Sequence, residues 1–354
     1  MKKPIVAVGM SGGVDSSVSA LLLKEQGYEV FGLFMRNWEE GEDCPAEADY
    51  ADMARVCEQI GIPYYTVNFT KEYWDEVFSE CLDGFAKGVT PNPDILCNRQ
   101  IKFSHLLEKA KRLGADKLAT GHYCQIGETD GRTTLLKGFD PNKDQSYFLH
   151  AVSHEKLGDT LFPIGHLPKP EVRKIAREHN LYTHAKKDST GICFIGKRAF
   201  RPFLSQYLKP KPGPFKTLEG KVLGQHEGSH LYTIGQRKGL GIGGPGEAWF
   251  VADKAHEENT VYLVQGENHP ALFQSKVVAS DAFWIAGTAP NFPFSCTAKI
   301  RYRQEDSPCT LDSSGEQLIA KFEKPQRAVT PGQSIVFYDG ARCLGGAIIK
   351  PCVK

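Results

Sequence analysis

Three short segments of this chain combine residue types that do chemistry. The first is Gly9-Met10-Ser11-Gly12-Gly13-Val14-Asp15-Ser16-Ser17, which follows an apolar run and opens a helical pattern. Its paired glycines let the backbone curl close to an anion with no Cβ in the way. Amides at a helix start then point at phosphate oxygens. Ser11, Ser16 and Ser17 add hydroxyl donors, and Asp15 can help hold the Mg2+ that accompanies a nucleotide. No Gly-Lys-Ser/Thr follows, which argues against a Walker-type kinase or GTPase. The second segment is Pro91-Asn92-Pro93-Asp94-Ile95-Leu96-Cys97-Asn98, read as a loop that two prolines keep extended. Cys97 falls just ahead of a helical pattern beginning near Gln100, and a helix N-terminus favours the thiolate. Asp94 can act as acid or base. The third is Asp188-Ser189-Thr190-Gly191-Ile192-Cys193-Phe194-Ile195-Gly196, where Lys186, Lys187, Lys197 and Arg198 favour a thiolate at Cys193. Either cysteine alone reads most simply as an inert buried thiol. Two of them in polar, glycine-bearing loops beside a phosphate loop point to a reactive pair.

Other patterns carry less. Gly239-Leu240-Gly241-Ile242-Gly243-Gly244 has the letters of a dinucleotide fingerprint but no strand before it and no helix after it. With Gln236, Arg237 and Lys238 beside it, it reads as a polar turn that contacts RNA or another domain. His150 and His154 have metal-like spacing without a third ligand, so no bound metal is expected. Cys343 and Cys352 read as core or surface thiols. The ten cysteines include no Cys-x-x-Cys, and without an export signal they are not a disulfide framework. The hydrophobic content of 41% suits a packed core, and no apolar run approaches the roughly 18 residues of a membrane span. A cytoplasmic protein is expected, and membrane functions are excluded. The net charge of +1 hides an acidic stretch over 39–49 and a basic one over 186–216. The basic stretch is either a solvated face or a phosphate-binding one.

The first 120 residues must position the phosphate loop. Strand patterns at 4–9, 28–34, 63–67 and 117–120 alternate with helical patterns at 16–26, 46–60, 70–87 and 100–113. That alternation predicts an α/β fold with a doubly wound parallel sheet. Ligands of such sheets sit at the carboxyl ends of the strands, where Met10 to Asp15 and Gly121-His122 fall. Beyond Pro210, Pro212 and Pro214 the texture turns to short alternating runs, an all-β tail with a small barrel. The expected domains are therefore 1–210, α/β and catalytic; 211–275, central and β-rich; and 276–354, a C-terminal β-barrel.

The glycine loop resembles the PP-loop of the ATP pyrophosphatases, which cut ATP between its α and β phosphates. Over nearly its full length the chain resembles the bacterial tRNA-specific 2-thiouridylase family. The likeness rests on Gly9–Ser17, Phe34–Trp38, Pro91–Asn98, Ala119–Tyr123, Asn142–Leu149, Asp188–Gly196 and Gly235–Gly244. The resemblance implies ATP-dependent 2-thiolation of the wobble uridine in the tRNAs for lysine, glutamate and glutamine. It implies an adenylated uridine, a persulfide on Cys193, and Cys97 as the nucleophile that resolves it, leaving a Cys97–Cys193 disulfide. It places ATP, with Mg2+, against Gly9, Met10, Ser11, Gly12, Gly13, Val14, Asp15, Ser16, Met35 and Gly121. It places tRNA against Asn92, Pro93, Asp94, His122, Lys143, Asp144, Gln145, Arg301, Tyr302 and Gln333. The implied partners are a tRNA anticodon loop and a persulfide donor or relay protein, and a monomer is expected. Two rival functions share the loop: a PP-loop ligase with an amine nucleophile, and an RNA-binding protein that uses ATP only as a switch.

Overall fold

The computed structural model describes residues 3–38, 46–188 and 200–351. Its strands in chain order are β1 (Ile5–Met10), β2 (Glu29–Arg36), β3 (Tyr64–Asn68), β4 (Lys117–Thr120), β5 (Cys124–Thr129), β6 (Arg132–Lys137), β7 (Thr160–Leu161), β8 (Gly213–Lys216) and β9 (Val222–His226). They continue with β10 (Trp249–Ala255), β11 (Thr260–Gln265), β12 (Phe273–Trp284), β13 (Phe294–Lys299), β14 (Ser307–Ser314), β15 (Gln317–Arg327), β16 (Ser334–Asp339) and β17 (Arg342–Ile349).

The first sheet has the order β3-β2-β1-β4-β7, with every pair parallel. Val6, Ala7 and Val8 on β1 are fully buried, because helices cover both faces. On one face the helices Val14–Glu25, Ala46–Ile60 and Lys169–Glu178 pack Val18, Leu23, Met53, Val56 and Val172 against Val6 and Val8. On the other face the helical runs 70–86 and 93–112 pack Val77, Phe78, Ile101 and Leu106 against Ala7 and Leu33. From β1 the chain moves to β2 on one side and later to β4 on the other. The carboxyl ends of β1 and β4 therefore flank the crevice where such sheets bind ligands.

The second sheet, β10-β11-β8-β9, is small and mixed. The third runs β12-β15-β14-β13-β16-β17, and an added β12–β17 pairing closes those six strands into a barrel. The β5–β6 hairpin extends this sheet through Arg342 and Cys343 of β17. The α/β class, the parallel sheet and the terminal barrel agree with the sequence patterns. The hairpin is what those patterns did not give: a segment early in the chain pairs with the barrel. No helix among the described residues is long and apolar enough to cross a membrane.

Candidate active site

The loop between β1 and the helix Val14–Glu25 is bent by Gly12, whose φ is +68°. Gly12 also lies against the helix Ala46–Ile60: a methyl there would sit 2.3 Å from the Asp49 carbonyl oxygen. At the end of β4, a methyl on Gly121 would sit 2.8 Å from the Ser16 amide nitrogen. Only glycine lets these backbones approach so closely. Gly12→Ala is therefore expected to cost about 2 kcal/mol or more, from left-handed strain plus the clash. Urea unfolding of the variant measures it.

The hydroxyls of the loop are turned mostly inward. Ser16 Oγ accepts from the Ser11 amide at 3.2 Å and donates to Gly13 O at 3.2 Å. Ser17 Oγ donates to Gly13 O at 2.8 Å and accepts from Thr183 Oγ1 at 3.0 Å. Gly13 is the N-cap, and no side chain caps the helix. Its first-turn amides therefore remain available to an anion.

Asp15 sits at the centre of an ion network. Lys169 Nζ donates to its two carboxylate oxygens at 2.6 and 2.8 Å, and the Tyr123 hydroxyl donates at 2.7 Å. Burial and the neighbouring Asp15 carboxylate push the Tyr123 hydroxyl far up, so it serves as a donor. Lys169 is itself buried and reaches Asp188 at 2.9 Å. Lys143 and Arg173 close on Asp188 at 2.7 Å each. Burial alone would raise the Asp188 carboxyl, but the bonds from Lys143 and Lys169 prevail and hold it at about 2, against an ordinary 3.8. A folded-state pKa below the unfolded one means that this carboxylate stabilises fully above about pH 4. The contribution is lost as pH falls toward about 2. The urea midpoints of Asp188→Asn and the parent chain should therefore diverge above about pH 4 and converge in stronger acid.

This network bears on two expectations. Asp15 is already satisfied by Lys169 and Tyr123, and among the described residues no group of three or more His, Cys, Asp or Glu side chains is placed to hold a metal ion. These residues do not fit a protein-held Mg2+. At the start of the basic stretch Lys186 is paired with Asp49 at 2.7 Å and with Asp52, while Lys187 is exposed. Lys209 and Lys211 do remain exposed, while Arg201 lies over the Tyr232 ring at 4.6 Å.

Cys97 is not at a helix start. Asn92 is the N-cap, and its Oδ1 accepts from the Asp94 and Ile95 amides at 3.2 and 3.4 Å. Pro93 occupies the first turn, where its missing N–H costs nothing. Cys97 follows one turn later and opens a wide, π-type stretch, Cys97–Leu106. It is buried among Leu33, Trp38, Ile101 and Phe203. Asp94 keeps contact with solvent but is recessed among protein atoms, and this desolvation raises its carboxyl, with Lys102 opposing. Cys193 lies outside the described residues, as does the 189–198 part of the segment expected to carry it. Both flanks of 189–199 are fixed, however. Asp188 ends in the ion network at the phosphate loop. The helix Phe200–Leu204 packs Phe203 against Trp38 and Phe78, in the cluster that holds Cys97.

The residues expected to meet RNA divide into two groups. His122 and Asp144 turn inward. The His122 ring packs beside Phe103 and Phe162, bonds to Thr120 Oγ1 at 2.7 Å, and is kept neutral by burial. Asp144 accepts from the Gly138 and Ser146 amides at 3.0 and 3.1 Å, so it shapes the 138–146 turn. Gln145 bonds the Tyr123 amide through its Oε1 at 2.9 Å. Arg301, Gln333, Thr90, Thr233 and Thr330 line a cleft of about 390 Å3 where loops of the α/β part, the central region and the barrel meet. There Arg301 Nη2 donates to Ile234 O, Ala328 O and Thr330 Oγ1 at 2.9, 2.9 and 3.1 Å. Gln333 Nε2 donates to Thr90 O at 2.7 Å, next to the Cys97 segment. The Tyr302 ring lies against Phe148, centroids 4.4 Å apart and tilted by 48°. Met35 is the penultimate residue of β2 and half-buried, and Gly9 and Met10 end β1. Lys169 and Arg173 were not read from the sequence, since no motif marks them, and Tyr123 fell within the Ala119–Tyr123 stretch without a role, its partner Asp15 being 108 residues away.

Residues 4–197 match the family described as tRNA methyl transferase HUP domain. Residues 201–265 match its PRC-barrel domain, and residues 274–349 the aminomethyltransferase beta-barrel domain. The tRNA-specific 2-thiouridylase MnmA of Protochlamydia amoebophila is 58% identical over 351 residues, covering 98% of this chain and 93% of that protein. The enzyme of the same name from Pseudomonas fluorescens is 58% identical over 356 residues, covering 99% and 94%. Among solved structures, an NMN synthetase from Francisella tularensis is 18% identical with a TM-score of 0.34, covering 53% of this chain and 67% of that one. With relatives of this identity along almost its whole length, the chain belongs to the tRNA-specific 2-thiouridylase family.

Proposed function

We propose that this protein is a sulfurtransferase that replaces the C2 oxygen of the wobble uridine of lysine, glutamate and glutamine tRNAs with sulfur, at the expense of ATP. The observation that carries the reading is the uncapped, glycine-bent loop at the switch point of the parallel sheet, in a chain that aligns over nearly its full length with 2-thiouridylases.

In this reading the first-turn amides of the helix Val14–Glu25 receive the ATP phosphates, and Met35 and Gly121 border the nucleotide. Any Mg2+ arrives as part of the ATP, since Asp15 is committed to Lys169. The uridine O2 attacks the α phosphorus, the bond to the β phosphate breaks, and pyrophosphate leaves. A carbonyl oxygen is a poor leaving group, and AMP is a good one. The outer sulfur of a Cys193 persulfide then attacks C2, and AMP departs. Cys97 attacks the Cys193 sulfur, frees the thiolated base and forms a Cys97–Cys193 disulfide that an external thiol reduces. The fixed flanks of 189–199, one at the phosphate loop and one in the Cys97 cluster, support this arrangement.

Asn92, Pro93 and Asp94 border the target base, which must leave its stack to be reached. Lys143, Gln145, Arg301, Tyr302 and Gln333 form the RNA-facing wall, while His122 and Asp144 hold its shape from behind. The partners are the anticodon loop of tRNA and a persulfide donor. The products of ATP use test this reading. AMP and pyrophosphate should form in a tRNA-dependent way; formation of ADP would favour a nucleotide switch instead.

A further inference from the structure

Two cysteines that the reaction does not use face one another in the barrel. Cys296 on β13 and Cys309 on β14 are directly opposed in the antiparallel register. Their sulfurs lie 3.7 Å apart. Residues so paired have Cα atoms about 4.5–5.5 Å apart and point to the same face, within the range a disulfide spans. Cys309 is buried and Cys296 half-buried, so one thiol is open to a small reagent and the other is screened. The chain between them, 297–308, carries Arg301 and Tyr302. Arg301 ties it to the central region through Ile234 O, and Tyr302 packs on Phe148.

We propose that Cys296 and Cys309 are a reversible dithiol–disulfide site for low-molecular-weight disulfides, at the root of the hairpin that presents Arg301 and Tyr302. The Cys296 thiolate attacks the reagent's S–S bond. One reagent thiolate leaves, and a mixed disulfide forms on Cys296. Cys309 gives up its proton to water and attacks the Cys296 sulfur, expelling the second reagent thiolate. Two electrons pass from the protein thiols to the reagent, which ends as two thiols. The hydrogen bond to Cys309 and burial both raise the Cys296 thiol, so the first exchange step is slow and the dithiol is stable at rest.

Lys299, Arg301 and Arg303 lie between the two cysteines, so trypsin separates them onto peptides 277–299 and 304–321. The test treats the full chain with oxidised glutathione, alkylates the remaining thiols, digests without reductant and reads the peptides by mass. The linked pair should become the main form of both peptides and return to two alkylated peptides with dithiothreitol. The Cys309→Ser variant should stop at a glutathione adduct on Cys296. Two separately alkylated peptides after treatment would overturn the proposal, and so would a stable glutathione adduct on Cys296 of the unaltered chain. The outcome is independent of the thiolation reading.

Discussion

Cys193→Ser is expected to lower tRNA thiolation on the order of a thousandfold or more, the scale of losing a covalent nucleophile. A hydroxyl cannot carry a sulfane sulfur, so the relay stops at its first step. In the proposed reaction adenylation uses other residues: the amides after Gly13, the glycines that let Asp49 and Ser16 come close, and the Asp15–Lys169 pair. Release of pyrophosphate in the presence of tRNA should therefore stay within about twofold of the parent, since the serine removes the sulfur carrier and leaves those residues unchanged. Paired measurements of pyrophosphate and thiolated nucleoside on one sample separate the two steps. A serine variant that still thiolates tRNA would end the sulfur-relay reading.

Lys169→Met should destabilise the fold by about 3 kcal/mol, the lower end of what breaking a buried ion pair costs. Lys169 Nζ stands between Asp15 and Asp188, and its side chain is only 9% exposed. Methionine fills the space but leaves two carboxylates facing each other across it. Lys143 and Arg173 still compensate Asp188, so the uncompensated charge falls mainly on Asp15. Nucleotide affinity should drop as well, because an unpaired carboxylate beside the phosphate loop repels the ligand. Urea denaturation gives the stability, and ATP titration of the folded variant gives the affinity. A second change, Asp15→Asn, should recover much of the stability. A loss under about 1 kcal/mol for Lys169→Met would show that the network is solvated and contributes as little as a surface pair.

The phosphate loop was legible because its signal is local: a strand, two glycines and a helix within a dozen residues. Cys97 was misplaced although its signal was equally local. Asn92-Pro93 is an N-cap followed by a first-turn proline, which starts the helix at Pro93. Reading the two prolines as an extended loop moved that start several residues too late. The β5–β6 hairpin carried a marker as well, since Asp130 and Gly131 both take positive φ at the turn. What no local pattern gave is where the hairpin pairs, because its partner β17 begins at Arg342, 205 residues after Lys137. The ion network is of the same kind. Asp15 and Lys169 are 154 residues apart, and only the sheet order brings them together. His122 and Asp144 show the converse. Their motif was legible, but the pattern of letters does not tell an outward side chain from an inward one.

In the proposed reaction sulfur replaces the C2 oxygen of one particular uridine. The direct measurement incubates the protein with an unmodified lysine tRNA, ATP and a persulfide donor, digests the RNA, and weighs the nucleosides with their positions assigned. A uridine heavier by the difference between sulfur and oxygen, at the wobble position alone and only when ATP is present, is the predicted result. Thiolation at another position, thiolation without ATP, or AMP formation with no sulfur in the RNA would contradict it.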